Sequence, residues 1–370
     1  MRERGAGSGL SPAAVRETTA LPRPPRPANS EHDVKPDLDK SLLVSAQYVS
    51  EGNGGIAEVA RLTAKSLGRQ FSTRALACLD DDDFRFEDVC VRGFGGGRLK
   101  FVASLIGAAR TATHIVHDFV GTARAQSLIF PRRPYAVWAH GIEVWDNPRP
   151  SHLKALRRAD LVLVNSAYTL ERASEALQGA RNVRLCRLGT TSDDAPDHVG
   201  PSPGPPTVLL LGRIDPSFPK GHALLISMWP LVVAAVPNAR LLFAGGGPAL
   251  AQARDLAARS PAASSIEVAG FVPAQDLETI WRRATVFAMP SYEEGFGLVF
   301  IEAMRRGIPV IASREDAGQE INLDGATGYN LTRDEPERHA AVALANKIAR
   351  TCWAILSTGE HFREELYTRA

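Results

Sequence analysis

Short apolar runs alternate with helix-length segments along this chain, and they do so in two series separated by a proline-rich interruption. Parallel strands need a long crossover between neighbours, usually a helix, so this alternation restricts each series to a parallel sheet covered on both faces. In the first series the strands are expected over 41–48, 72–79, 114–118, 135–139, 161–165 and 183–187. In the second they are expected over 207–213, 239–247, 265–270, 284–290, 308–313 and 327–331, with helices over 222–236 and 249–259. Between them "SDDAPDHVGPSPGPP" (192–206) holds five prolines and no periodic apolar residue, which suits a linker. The expected fold is α/β: two Rossmann-like, doubly wound domains facing each other across a cleft, with the carboxyl ends of both sheets turned toward a ligand. The boundaries read as a tail over 1–40, a first domain over 41–195, a linker over 196–206 and a second domain over 207–350. A closing helix over 351–370 is placed to cross back onto the first domain.

Composition narrows the function. With 370 residues, 44% of them apolar, the chain can bury two cores. Lys+Arg 43 against Asp+Glu 41 gives a net charge of +2, which excludes nucleic-acid binding through a basic surface. Cys78, Cys90, Cys186 and Cys352 have no paired or zinc-site spacing, which fits a reducing cytoplasm. No apolar run approaches the roughly 20 residues of a membrane helix, and the N-terminus lacks a signal-peptide core, so membrane contact is expected to be peripheral. The Pro- and Arg-rich tail reads as disordered, and its "GAGSGL" has no strand before it to make a dinucleotide fingerprint. "DDDD" (80–83) reads as a solvated loop, with no metal site expected.

The stretch "SYEEGFGLVFIEAMRRGIPVIAS" (291–313) poses a physical problem. A strand enters a glycine-framed turn, and "LVFIEAMRRG" continues as a helix closed by Gly307. Gly295 and Gly297 allow a tight backbone path, so the helix amino end, with its free N–H groups, can approach a ligand. Glu302 sits among Leu298, Val299, Phe300, Ile301, Ala303 and Met304, which leaves no wholly wet face for its carboxylate. An unpaired buried carboxylate costs several kcal/mol, so it needs donors: either Arg305 one turn on, or the hydroxyls of a ligand.

The run "EGFGLVFIE", Glu294 to Glu302, with "SYE" before it and "AMRRGIPVIAS" after it, resembles the E-x7-E signature of glycosyltransferase family 4. Members of that family are retaining, nucleotide-sugar-dependent enzymes of GT-B fold. The resemblance covers about 41–335 and is strongest from 207 to 331. It implies that Glu302 holds the ribose hydroxyls, that Glu294 contacts the donor sugar, and that Gly295, Phe296, Gly297 and Leu298 line the donor site. "LLLGRIDPSFPKGH" resembles the family's G-R…K-G motif, lengthened by "PSF", and implies that Arg213 and Lys220 hold the diphosphate. "FAGGGPAL" brings Gly245 to the nucleotide pocket, and "VAGFVP" places Phe271 and Val272 beside the nucleobase, core packing of Phe271 being the alternative.

In the first domain "SEGNGG" resembles the family's glycine loop, implying that Gly54 and Gly55 lie by the donor phosphate and that Asn53 and Gly55 meet the acceptor. "YAVWAHGIEVW" resembles an H-G-x-E segment, with His140 near the reacting carbon and Glu143 toward the acceptor; the alternative is a core-edge histidine bonded to backbone. His114 and His117 read as structural and Asp118 as an acceptor contact, while Arg132, Arg133, Arg157 and Arg158 are basic spots that could touch anionic lipid.

The implied activity is transfer of a hexosyl group from a UDP- or GDP-sugar, GDP-mannose among them, to an acceptor hydroxyl with retention. His140, Glu294, Arg213 and Lys220 carry the chemistry, with no metal and no cofactor beyond the nucleotide-sugar co-substrate. The acceptor is a lipid-linked glycan or a small molecule, in bacterial polysaccharide or glycolipid synthesis or in natural-product glycosylation, in the cytoplasm or at the inner face of the cell membrane. The competing reading is a noncatalytic sugar-nucleotide-binding scaffold. A nicotinamide enzyme on paired α/β halves lacks its G-x-G-x-x-G between strand and helix.

Overall fold

The computed structural model describes residues 37–190, 195–197, 199, 204–217 and 219–332. Eight strands form the first sheet: β1 (Asp37–Ala46), β2 (Phe71–Ala77), β3 (Phe84–Phe86), β4 (Val89–Gly93), β5 (His114–His117), β6 (Tyr135–Ala139), β7 (Leu161–Val164) and β8 (Val183–Leu185). Their spatial order is β3-β4-β2-β1-β5-β6-β7-β8. Six strands form the second: β9 (Thr207–Leu211), β10 (Arg240–Ala244), β11 (Ile266–Gly270), β12 (Val286–Ala288), β13 (Val310–Ser313) and β14 (Gly328–Leu331), in the order β11-β10-β9-β12-β13-β14. All pairings are parallel except β3 with β4.

The central strands are apolar throughout because helices cover both faces. Leu43, Val44, Leu209, Leu210, Phe243 and Phe287 are fully buried, and Trp229 and Phe300 pack onto the second sheet from the helices His222–Ala235 and Leu298–Arg305. Chain order reverses between β1 and β5 in one sheet and between β9 and β12 in the other. Loops leaving the carboxyl ends at such switch points diverge and open a crevice. The loops after β1, β9 and β12 are the ones that carry the glycine segment 52–55, the Arg213–Lys220 segment and the Glu294–Gly297 segment.

Four expectations are corrected or bounded. The tail expected over 1–40 ends earlier, because β1 starts at Asp37, whose N–H donates to the Gln70 carbonyl at 2.8 Å. The antiparallel hairpin β3–β4 has no counterpart in the expected strands. The four-aspartate loop is not uniformly solvated: Asp80 is buried, accepts from Val49 N at 2.8 Å and Ser50 N at 3.1 Å, and bonds the Ser50 hydroxyl. Asp81, Asp82 and Asp83 remain exposed. Residues 198 and 200–203 of the linker and all of the closing helix lie outside the described residues.

Candidate active site

The cleft between the two sheets has a volume of about 2070 Å³, and every residue singled out for the site except Asp118 lines it. Glu302 is half-buried on the helix Leu298–Arg305 and faces this space. The Glu302 carboxylate is not bonded by Arg305, which donates to Thr190 Oγ1 at 2.8 Å, and of Glu302 Arg306 reaches the backbone carbonyl, at 3.0 Å. Among the described residues no side chain bonds the Glu302 carboxylate. Burial therefore pushes its pKa up, against the pull of Arg306, with Glu58 adding to the rise.

Across the donor wall the cations are engaged. Lys220 pairs with Glu294, so the insertion before Lys220 does not keep it from the cleft. The loop is drawn back by Asp215 accepting from Ser217 N at 3.0 Å and by Tyr292 N donating to the Pro219 carbonyl at 3.1 Å. Gly221 then takes φ +99° against Pro290 and starts the following helix. Arg213 is exposed and pairs with Asp215 at 3.2 Å. Arg306 pairs with Glu278 at 2.8 Å.

Two glycines of the "GGG" turn have a structural cause. A Cβ on Gly245 would stand 2.0 Å from the Gly212 carbonyl oxygen, and one on Gly247 would stand 2.2 Å from that of Ile214. The turn is pressed against the loop that carries Arg213, and the fit of these two backbones requires glycine. Phe271 is not core: it is 68% exposed beside this turn, while Val272 packs inward against the second core.

On the opposite wall Gly54 has φ +87° and caps the helix Gly55–Gly68, and a Cβ at Gly52, Gly54 or Gly55 would meet nothing within 4 Å. Asn53 is tied to its own loop, donating to Ser50 Oγ at 2.9 Å. His140 follows β6 and is buried with one edge on the cleft, its ring stacked on Trp138 at 5.9 Å. Its Nε2 donates to the Asp118 carbonyl at 2.5 Å. A carbonyl can only accept, so the proton is on Nε2 and Nδ1 keeps a lone pair. Burial lowers its pKa, against the opposing pull of Glu143, and favours that neutral form. Glu143 accepts from His140 N at 2.6 Å, so one of its oxygens shapes the histidine turn.

Asp118 is not an acceptor contact. It is fully buried, accepts from Gln47 N at 2.9 Å and Thr122 Oγ1 at 3.1 Å, and burial pushes its pKa up to about 7. His117 is buried against Gln126 and is structural. Of the basic spots, Arg132 pairs with Asp160 at 2.9 Å and Arg133 and Arg157 donate to backbone carbonyls.

Sequence reasoning missed the seam that joins the walls. Glu320 of the second domain accepts from Ala167 N at 2.9 Å and Tyr168 N at 2.5 Å, the free donors opening the helix Ala167–Arg172 of the first domain. Ser166 Oγ donates to the Gly295 carbonyl at 2.7 Å, and Arg172 reaches Glu293 at 3.3 Å. Asn165 Nδ2 donates to the His140 carbonyl at 3.0 Å, and a Cβ on Gly295 would lie 2.1 Å from that same oxygen. Beneath, buried Asp316 accepts from Ser291 Oγ at 2.6 Å and Glu294 N at 3.3 Å. The seam therefore fixes His140 and the Glu294 turn against each other. Among the described residues no group of three or more His, Cys, Asp or Glu side chains is placed to hold a metal ion.

Two parallel-sheet α/β domains with the site in the cleft between them make this a GT-B protein. Solved structures with the same architecture include sucrose-phosphate synthase from Thermosynechococcus elongatus, at TM-score 0.67 and 19% identity, covering 89% of this chain and 94% of that one. Another is the Anabaena protein HepE, solved with UDP and glucose, at TM-score 0.63 and 20% identity, covering 87% and 95%. Residues 205–351, in the second domain, match the family described as glycosyl transferases group 1.

Its curated relatives include a GDP-mannose-dependent alpha-(1-6)-phosphatidylinositol monomannoside mannosyltransferase of Mycolicibacterium smegmatis, 32% identical over 213 residues, 51% of this chain and 54% of that protein. A phosphatidyl-myo-inositol mannosyltransferase of Mycobacterium tuberculosis is 37% identical over 147 residues, 39% of this chain and 37% of that protein. The chain thus spans about half the length, or less, of these relatives.

Proposed function

We propose that this chain is a retaining, metal-independent hexosyltransferase that moves a sugar from a UDP- or GDP-linked donor to an acceptor hydroxyl. The observation that carries it is Glu302: a half-buried carboxylate on the cleft wall, without a donor from the described residues, on the same side as Arg213 and Lys220. A ribose diol brings two O–H donors to that carboxylate. The diphosphate lies toward Arg213 and Lys220, and the base lies toward Phe271. Lys220 has three N–H donors, so it can take a phosphate oxygen while still touching Glu294. Glu294 then accepts from hydroxyls of the sugar.

In the reaction the acceptor oxygen bonds to the anomeric carbon from the face the diphosphate leaves. The carbon–phosphate-oxygen bond breaks, and the acceptor proton passes to the departing phosphate. Arg213, Lys220 and the amino ends of the helices following Gly54 and Gly297 stabilise the developing negative charge. The Nδ1 lone pair of His140 accepts from a hydroxyl near the reacting carbon. The names of the mycobacterial relatives favour GDP-mannose as donor and a glycolipid as acceptor, with peripheral contact at the cytoplasmic face of the membrane. No helix among the described residues is long and apolar enough to cross a membrane.

Glu302→Ala and Arg213→Ala are each expected to abolish turnover while the circular-dichroism melt stays cooperative. Loss of one charge-stabilising donor should cost about 2.7–4 kcal/mol of barrier, a fall of about 10²- to 10³-fold in kcat. Near-normal turnover in either variant would sink the assignment. A protein that binds the nucleotide sugar but releases no UDP or GDP with any acceptor is the scaffold instead.

A further inference from the structure

Two arginines stand where a helix would ordinarily give them to the Glu302 carboxylate, and neither takes it. Arg305 and Arg306 follow at i+3 and i+4, the spacings at which side chains meet on a helix, and a glutamate ahead of a cation at i+4 is the favourable order. Arg305 donates to Thr190 Oγ1 of the first domain at 2.8 Å. Arg306 is held more firmly. Its Nη2 and Nε donate to Glu278 Oε2 at 2.8 and 3.2 Å, its guanidinium stands 5.1 Å from the centre of the Trp281 ring, and its Nη1 donates to the Glu302 carbonyl at 3.0 Å. That carbonyl belongs to the last turn of the helix Leu298–Arg305, where carbonyls lack intrahelical partners and a cation is favoured. Glu278 and Trp281 come from one turn of the helix Leu277–Arg283, so a single element supplies both the carboxylate and the ring.

The arrangement is unfavourable for Glu278 itself. Its other oxygen, Oε1, is buried without a hydrogen bond from the described residues, and Arg282 Nε stands 3.9 Å away. A buried carboxylate oxygen without a donor counts against stability, so the fold alone does not account for this residue. Glu278, Arg306 and Glu302 all line the cleft.

We propose that Glu278 is a positioning residue: it holds the Arg306 guanidinium off the Glu302 carboxylate and so keeps that carboxylate open to the hydroxyls of a ligand. Without Glu278 the guanidinium turns back along its own helix, pairs with Glu302 and competes with the donor's ribose. The identity of that ligand rests on the hexosyltransferase reading, but the diversion of Arg306 is testable without it.

Calorimetry of the full chain with GDP and with UDP measures the consequence. Glu278→Ala is expected to weaken binding of whichever nucleotide the parent takes by about fivefold, the competition that one partly exposed ion pair can supply. Glu278→Gln keeps the shape and loses the charge; it should weaken binding less, and it carries the test if the alanine variant does not fold. Arg306→Gln alone should bind as the parent does. Glu278→Ala combined with Arg306→Gln should return to the parent's affinity even though its melting temperature is lower. A loss that persists in the double variant overturns the proposal, since Glu278 would then be a direct contact or a structural prop, and so does parental affinity in both Glu278 variants. A crystal structure of ligand-free Glu278→Ala reads the diversion directly. Arg306 is expected on the Glu302 carboxylate there, and a guanidinium that stays away overturns the proposal whatever the nucleotide does. A parent protein that binds neither GDP nor UDP overturns the donor reading instead, and the crystal structure then decides the diversion by itself.

Discussion

The donor and acceptor walls meet the same cleft with different kinds of glycine. On the donor wall Gly245 and Gly247 are demanded by neighbouring backbone, since the Cβ of any other residue would lie 2.0 and 2.2 Å from the nearest oxygen. On the acceptor wall Gly52, Gly54 and Gly55 have empty space around that position. The same contrast runs through the charges, which are paired on the first wall and, among the described residues, without a side-chain partner at Arg98, Arg124 and Arg149 on the second. One wall is held in shape by close backbone contacts; the other leaves open space beside its glycines.

A pair of substitutions breaks this contrast if it is wrong, and it has the largest expected effect. Gly245→Ala adds overlap with the Gly212 carbonyl to a backbone at φ +141°. Overpacking and strain together should cost about 2–6 kcal/mol in denaturant unfolding. Gly55→Ala meets no neighbour and has no positive φ, so it should leave stability unchanged or raise it by about 0.4–1 kcal/mol. Its methyl group would nonetheless stand in the proposed phosphate and acceptor space, and turnover should fall. Equal loss of stability in the two variants would erase the distinction between the walls.

Most of the fold could be read from the sequence because its physical cause is local. Largely buried parallel strands such as "TVLLLG" and "ARLLFAG" are short apolar runs, and each recurs where the alternation places it. The hairpin β3–β4 could not be read this way, since "FRF" and "VCVRG" are brief, partly exposed and preceded by four acids. At the site, Glu294, Glu302, Arg213 and Lys220 announce themselves through dense motifs. Arg98, Arg124 and Arg149 do not, because three unrelated elements bring them to one wall. The seam is harder still: Tyr168 and Glu320 are 152 positions apart, and neither carries a signal until the domains are docked. The signal available for Ser166 was a serine before a helix, and that identifies a cap, not a partner in the other domain.

The two halves also share a buried titration pattern that sharpens the comparison. Burial pushes Asp118 and Asp316 up to about 7 from an ordinary 3.8. Burial also lowers His117 and His222 to about 4 from 6.5, with His140 lowered and Glu302 raised in direction. Between about pH 4 and 6.5 Asp118 and Asp316 each keep a proton that the unfolded chain has released, so they make stability fall as pH rises. His117 and His222 have each lost a proton that the unfolded chain still holds, so they make stability rise. The opposing slopes largely offset one another in the parent protein. Asp316→Asn removes one falling contribution, so its unfolding free energy should rise more steeply with pH than that of the parent, by up to about 1.4 kcal/mol per pH unit. Urea unfolding at intervals from pH 4.5 to 6.5 measures the difference, and parallel profiles would mean that Asp316 is ionised throughout that range.

The smallest expected effect bears on the one donor-wall residue that resembles the acceptor wall. Phe271 is 68% exposed, and its ring lies outside the second core, so the fold gains little from it. Phe271→Ala should therefore leave the melting temperature of the ligand-free protein within the scatter of surface substitutions. If the ring flanks the nucleobase, the variant should bind the nucleotide sugar about 1 kcal/mol more weakly, on the order of fivefold in Kd by calorimetry. The loss should be the same for the free nucleoside diphosphate, since the sugar lies toward Glu294 and away from the base. A weakening confined to the nucleotide sugar would move Phe271 from the base to the sugar, and no weakening at all would leave the donor wall without an aromatic contact to its ligand.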